Sequence, residues 1–225
     1  MTNVPTENDD KAHFLVLKPI YSPDTSIMLK CMCIKDRNRT GESELKKFEE
    51  KTITSTTLYE GRIINLQIDE VELPNGKTSK RELIRHPGAV AVIAVTNENK
   101  IVMVEQYRKA LERSIIEIPA GKLEPGEAPE KTAERELEEE TGYGCKTLEH
   151  VISFYTSPGF ADEIVHVYMA KELFPLEDAK SLDEDEFVER LEVSIEEALE
   201  FIKEKRIFDA KTVFAIQHLQ LMRGF

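Results

Sequence analysis

The order of apolar and turn-forming stretches in this chain predicts an α/β (α+β) fold, a mixed sheet covered by helices and preceded by a small N-terminal antiparallel β segment. Strand-like stretches come first, with turn signals between neighbours. Residues 89–95, AVAVIAV, are continuously apolar, as a strand buried on both faces should be. Helical patterns then fall between and after the strands. With 225 residues, 40% of them hydrophobic, the chain suits one domain with a sizeable core plus accessory segments.

Residues 1–46 mix Pro5, Pro19 and Pro23 with scattered charges and short apolar patches, without periodicity, and read as a poorly ordered extension. Residues 63–73 alternate enough to form a strand, and Asn75-Gly76 signals a tight hairpin, because both residues tolerate positive φ. The returning strand is 80–85. Residues 89–95 turn through Asn97-Glu98-Asn99-Lys100 into a strand at 101–107, and this hairpin is the expected centre of the sheet. A short strand at 115–118 leads through Pro119 and Ala120 into an acidic stretch. Pro129 and Gly142 bracket a helix of about 128–141 there. Strands follow at 147–155 and 164–170, separated by the turn-forming 156–160. Ser194 and Glu197, three apart, form a capping box for a helix burying Ile195, Ala198, Leu199 and Ile202. Asp209 can cap the last helix.

With 43 acidic against 30 basic residues the net charge is −13, which argues against nucleic-acid and membrane partners. Cys31, Cys33 and Cys145 lack ligand or redox spacing and read as reduced thiols of a cytoplasmic protein. No basic-then-apolar leader opens the sequence and no apolar run is long enough to span a bilayer, so a soluble, unexported protein is expected. The five histidines lack metal spacing. Ser157 lacks a GxSxG elbow, and no Gly-Lys-Ser/Thr follows Gly126, so serine-hydrolase and P-loop chemistry are set aside.

The chemistry is concentrated in 121–143, GKLEPGEAPEKTAERELEEETGY. On a helix, Glu136, Glu139 and Glu140 stand at i, i+3 and i+4, three carboxylates on one face. Like-charged neighbours cost roughly 0.2–0.5 kcal/mol each, and carboxylates near a helix C-terminus oppose the macrodipole by about 0.3–1 kcal/mol. A hard divalent cation would remove both penalties, whereas a solvated acidic face would bear them.

The spacing of Gly121, Glu127, Arg135-Glu136-Leu137, Glu139-Glu140 and Gly142-Tyr143 resembles the box of the Nudix hydrolase family, GX5EX7REUXEEXGU, with Tyr143 a loose match to its aliphatic-type end. The resemblance runs on through LPNGK, KREL, HPGAVAV, EQYR, EIPAGKLE, TSPGFADE and DEDEFVE, which look like the ADP-ribose pyrophosphatase branch. It implies an α/β/α sandwich, with 47–86 as the N-terminal, dimer-forming β segment and 87–225 as the hydrolase domain; residues 1–46 lie outside it. Carried over by position, Glu136, Glu139, Glu140 and the Ala120 carbonyl would hold Mg²⁺, or Mn²⁺ in its place. Gly121 and an Arg135–Glu127 ion pair would brace the box. Pro158, 16 residues after Gly142, resembles the marker of the branch, although Ser157-Pro158-Gly159 by itself is only a turn.

The resemblance assigns catalysis to Glu139 and to the acidic run 183–186, Glu186 as base with Glu184 beside it, where the residues alone fit a charged surface turn equally well. It assigns substrate contacts to Arg108 and Glu117 and, more loosely, Arg81, with Arg85 left as a surface charge. The expected activity is Mg²⁺-dependent hydrolysis of ADP-ribose to AMP and ribose 5-phosphate by a homodimer. Another nucleoside diphosphate derivative, such as NADH, a sugar nucleotide or a dinucleoside polyphosphate, is the first alternative. A non-catalytic ADP-ribose-binding module is the second.

Overall fold

Strand β4 (Ala89–Val95) organises the architecture, because its side chains feed two cores at once. The computed structural model describes residues 47–177 and 187–222, which hold ten strands and three α-helices. The expected 1–46 extension and the acidic run 183–186 lie outside the described residues. The remainder belongs to one compact unit, Leu45–Phe225.

The main sheet runs β10-β5-β4-β9-β8, with β5 Ile101–Arg108, β8 Tyr143–Tyr155, β9 Ile164–Pro175 and β10 Val188–Val193. It is mixed: β4 pairs parallel with β9, whereas β5–β10 and β8–β9 are antiparallel. Strands β4 and β5 pair only at Ala94–Val102 and Val95–Ile101 and then fork. Into the fork fit β6 (Arg113–Glu117), paired with β5, and β7 (Ala120–Lys122), paired with β4.

Alternation along β4 makes the sandwich. Ala91 and Ile93 pack with Met103, Val167 and Ile118 against helices α2 (Ile195–Lys203) and α3 (Ala210–Met222). Val90, Val92 and Ala94 face the other way, against Ala133 and Leu137 of helix α1 (Pro129–Thr141). Helices therefore cover both faces, which is why this strand is apolar at every position.

A second, three-stranded antiparallel sheet, β1-β2-β3, is formed by β1 Lys51–Glu60, β2 Asn65–Glu72 and β3 Thr78–Arg85, with the Asn75-Gly76 turn joining the last two. Ile84 N–H donates to the Phe160 carbonyl at 2.8 Å, and Asp162 accepts from the His86 N–H at 2.8 Å, so the end of β3 is stitched to the β8–β9 turn. Every residue of β1 is exposed.

Three strands depart from the sequence expectation. β1 carries threonines without apolar alternation and forms as the hairpin partner of β2, β7 is three residues long, and β10 follows an acidic run; the last two form by pairing with β4 and β5, distant in sequence. β8 begins at Tyr143 rather than 147 and β9 continues to Pro175 rather than 170, since the two extend each other. Gly144 permits this, because a Cβ there would meet the Phe174 ring at 2.7 Å. The α2 capping box is present as expected: Ser194 Oγ accepts from Glu197 N–H at 3.2 Å, and Glu197 Oε2 accepts from Ser194 N–H at 2.8 Å. Asp209 Oδ1 caps α3 by accepting from Thr212 N–H at 3.1 Å.

Ser194→Ala is expected to cost about 1 kcal/mol of stability, a fall in Tm of about 2–4 °C for a domain this size. Thermal unfolding by circular dichroism checks it, and an unchanged Tm would mean that this cap does not hold α2.

Candidate active site

Helix α1 begins where Ala128 is still extended and Pro129 occupies the first turn, where a missing N–H costs nothing. It ends at Gly142, left-handed at φ 71°, whose N–H donates to the Glu138 carbonyl at 2.8 Å. Thr132, Ala133, Leu137 and Thr141 form its buried face, and with them are buried two carboxylates, Glu136 and Glu140. Both lie against β7. Ala120 N–H donates to Glu140 Oε2 at 2.9 Å, and a Cβ on Gly121 would sit 1.9 Å from Glu136 Cδ. Glycine at 121 thus leaves the room that the Glu136 carboxylate fills.

Arg135 gathers the rest. Its Nη1 donates to Glu136 Oε1 at 2.7 Å and to Glu139 Oε2 at 2.9 Å, and its Nη2 donates to Glu127 Oε2 at 3.2 Å. Glu127 is steadied in turn by Thr132 Oγ1, at 2.9 Å. Burial opposes the charge on this guanidinium. The Glu127 hydrogen bond and the fields of Glu136 and Glu139 outweigh it and hold the arginine above its ordinary range. Three carboxylates on one guanidinium, with Glu140 one turn from Glu136, leave the cluster negative.

These oxygen donors fit a hard divalent cation in chemistry and in surplus charge. Among the described residues no three acidic, histidine or cysteine side chains already converge on one point, because Glu136 and Glu139 are drawn to the arginine.

Arg108 ends β5 and Glu117 ends β6, and the structure joins them to each other: Arg108 Nε donates to Glu117 Oε2 at 2.6 Å. Glu117 is buried and also bound by Lys211 Nζ, so both of its oxygens are engaged within the protein. Arg81 stands apart, on β3, donating to both oxygens of Glu50 at 2.7 and 2.5 Å. Pro158 lies in the β8–β9 turn, where the Ser157 carbonyl accepts from Phe160 and Ala161 N–H groups at 3.1 and 2.9 Å. Glu184 and Glu186 lie outside the described residues. Strand β10, which follows them, is pinned to the end of α1: Arg190 Nη1 donates to the Thr141 carbonyl at 2.7 Å, and Tyr143 Oη donates to Glu192 at 2.7 Å.

Two features escaped the sequence reading. One is a cleft of about 450 Å³ beside the start of the box, lined among others by Arg62, Arg85, His86 and Lys122. Its cations come from three separate segments, the β1–β2 connection and the ends of β3 and β7, so nothing local signals it. The other is Lys211, whose partner Glu117 is 94 residues away in sequence.

A family model described as the NUDIX domain matches residues 85–215, and one described as the nucleoside diphosphate sugar hydrolase N-terminal domain matches 50–84. The chain is 68% identical over 179 residues to the methanol dehydrogenase activator of Bacillus methanolicus, covering 80% of this chain and 97% of that protein. It is 62% identical over 177 residues to the ADP-ribose pyrophosphatase of Bacillus subtilis (strain 168), covering 79% and 96%. A crystal structure described as that of an ADP compounds hydrolase superposes with a TM-score of 0.68 over 77% of this chain and 94% of that one; at 18% identity it speaks for the fold alone.

Gly121→Ala should leave the fold intact, since the clash is with the far end of a flexible side chain, but should displace the Glu136 carboxylate. Mn²⁺ affinity measured by calorimetry is expected to fall about 10–100-fold, as for lost outer-shell support. An affinity equal to that of the parent would mean that the seat of Glu136 is irrelevant to the metal.

Proposed function

The chain belongs to the Nudix family, and on that premise we propose that it hydrolyses the diphosphate of ADP-ribose to AMP and ribose 5-phosphate, with Mg²⁺, or Mn²⁺ in its place, as cofactor. The observation that carries this reading is the α1 carboxylates, Glu136 and Glu139 on Arg135 and Glu140 on the Ala120 N–H, set over Gly121. Similarity to an ADP-ribose pyrophosphatase over nearly all of that protein's length supports the substrate.

Glu136, Glu139 and Glu140, with the Ala120 carbonyl, would hold the cation. When bound, it neutralises diphosphate oxygens and lowers the pKa of an attached water. The side chains do the rest. Arg108, its Nε fixed by Glu117, offers its terminal nitrogens to the diphosphate, a bidentate grip that lysine cannot supply. Glu127 and Arg135 hold the box in shape. Glu186, with Glu184 as the next candidate, accepts the proton of the attacking water as one P–O bond of the bridge breaks and the departing half leaves as a phosphate monoester. Glu139, held by Arg135, supports that step. Arg62 and Lys122 bring positive charge to the cleft beside the box, in a strongly acidic chain, while Arg85 there is paired with Asp162.

The same reading includes a homodimer and a cytoplasmic location. The open three-stranded sheet supports the first, with Phe48, Ile53, Leu58 and Tyr59 exposed around it in a single chain. Arg81 on that sheet would then face the second copy's site. Cys145, a free thiol, supports the second. No helix among the described residues is long and apolar enough to cross a membrane.

A second reading is favoured by the activator relative: the chain also raises the activity of a methanol dehydrogenase. Adding the protein to such a dehydrogenase should increase its rate, and no increase would leave hydrolysis as the whole function.

Incubation of the pure chain with ADP-ribose and Mg²⁺ is expected to release AMP, and to do so faster than with NADH, a sugar nucleotide or a dinucleoside polyphosphate. No turnover with either Mg²⁺ or Mn²⁺ would remove ADP-ribose as the substrate. Glu140→Gln should keep its Tm within a few degrees and lose about 10²-fold or more of kcat. Near-normal turnover would take Glu140 out of the metal shell.

A further inference from the structure

We infer that Lys211, backed by Asp209, is a positioning residue for Arg108: from the first turn of α3 it holds the buried Glu117 carboxylate, which in turn fixes the guanidinium plane. The inference rests on the hydrolase reading for what Arg108 meets, a nucleoside diphosphate. The network itself stands on geometry.

Glu117 has two oxygens and two cationic partners. Oε2 accepts from Arg108 Nε at 2.6 Å and Oε1 accepts from Lys211 Nζ. The same Nζ donates to Asp209 Oδ1 at 2.9 Å, the oxygen that caps α3. Thr212 Oγ1 accepts from Ile118 N–H at 3.1 Å, and the Arg206 carbonyl accepts from Ile116 N–H at 2.8 Å. The start of α3 is thereby bound to the segment that carries Glu117, so Lys211 is held to its carboxylate by backbone as well as by charge.

Glu117 is the most buried group of this chain and Arg108 the most exposed. The side chains of Glu117 and Lys211 are 3% and 15% exposed, that of Arg108 39%. Nε is committed, and among the described residues the terminal nitrogens of Arg108 make no hydrogen bond. Buried ion networks of this kind seldom exceed apolar packing in stability, and Asp209 Oδ2 is buried without a hydrogen-bond partner among the described residues. What the alternating charges do supply is a fixed direction for the Arg108 fork. With Lys211 removed, Glu117 loses one of its two anchors and the fork loses its orientation.

A double-mutant cycle on the full chain tests this. Lys211→Met is expected to raise KM for ADP-ribose and lower kcat/KM about tenfold or more, within the range of a misplaced positioning group. Lys211→Arg should restore most of the loss, and in an Arg108→Met background Lys211→Met should cost nothing further. Equal losses in both backgrounds would overturn the positioning role. A second readout needs no substrate: the Arg108 Nε–H signal in ¹⁵N-resolved NMR, identified by its loss in Arg108→Lys. It should exchange slowly in the parent and in Lys211→Arg, and rapidly in Lys211→Met. An unchanged signal in Lys211→Met would also overturn the proposal. Should Lys211→Met fail to fold, Lys211→Gln/Asp209→Asn replaces it in both arms. Absence of ADP-ribose turnover in the parent chain would defeat the hydrolase reading, while the NMR arm still decides the role of Lys211.

Discussion

One guanidinium among carboxylates is the constraint around which the site is built. Glu136, Glu139 and Glu140 crowd the C-terminal half of α1, where each opposes the helix dipole and repels its neighbours. Arg135, reaching Glu127, Glu136 and Glu139, offsets part of that repulsion, and the Ala120 N–H takes up part of Glu140. The remaining negative charge is what a divalent cation with diphosphate oxygens is suited to neutralise. The helix thus folds with Glu136 and Glu140 buried, while Glu136 and Glu139 share one Arg135 nitrogen that a cation held there would have to replace.

The sheet makes this arrangement available by forking. Because β4 and β5 separate after two paired positions, β6 and β7 enter between them and deliver Ala120 and Gly121 under α1. On the β5–β6 pair that this fork admits, the Arg108 side chain reaches along the ladder to Glu117, which stands opposite Val104. On the opposite face of the sheet, α3 reaches back to Glu117 through Lys211. Frame and site therefore share residues, and the charged chain from Asp209 to Arg108 crosses from the α2–α3 side to the substrate side.

Local signals in the sequence were strong enough to locate β4, the Asn75-Gly76 hairpin, α1 and the Ser194 capping box, since each is written in consecutive residues or in one helical period. The spacing from Gly121 to Tyr143 also located the carboxylates. It did not reveal that Arg135 would hold two of them, because that depends on side-chain reach in a folded helix. Strands β1, β7 and β10 left little trace: β1 is held by its hairpin partner β2, and β7 and β10 by partners far along the chain, rather than by alternation of their own. Lys211 and the Arg62, Arg85 and Lys122 cleft were illegible for the same reason, each contributing single cations from separate segments. Glu117, which the resemblance to the branch offers as a substrate contact, is buried and bonded to Arg108 and Lys211, contacts that its place before the box did not signal.

The central claim is that the α1 carboxylates hold a metal directly against the diphosphate. Bound Mn²⁺ shortens the ³¹P relaxation of nearby phosphorus nuclei steeply with distance, so a methylene-bridged, non-hydrolysable ADP-ribose analogue measured with the Mn²⁺-loaded chain reports it. The account predicts strong relaxation of both phosphorus nuclei with the parent chain and its loss in Glu136→Gln/Glu140→Gln. Strong relaxation that survives the double substitution, or none in the parent chain with analogue and Mn²⁺ both bound, would contradict it.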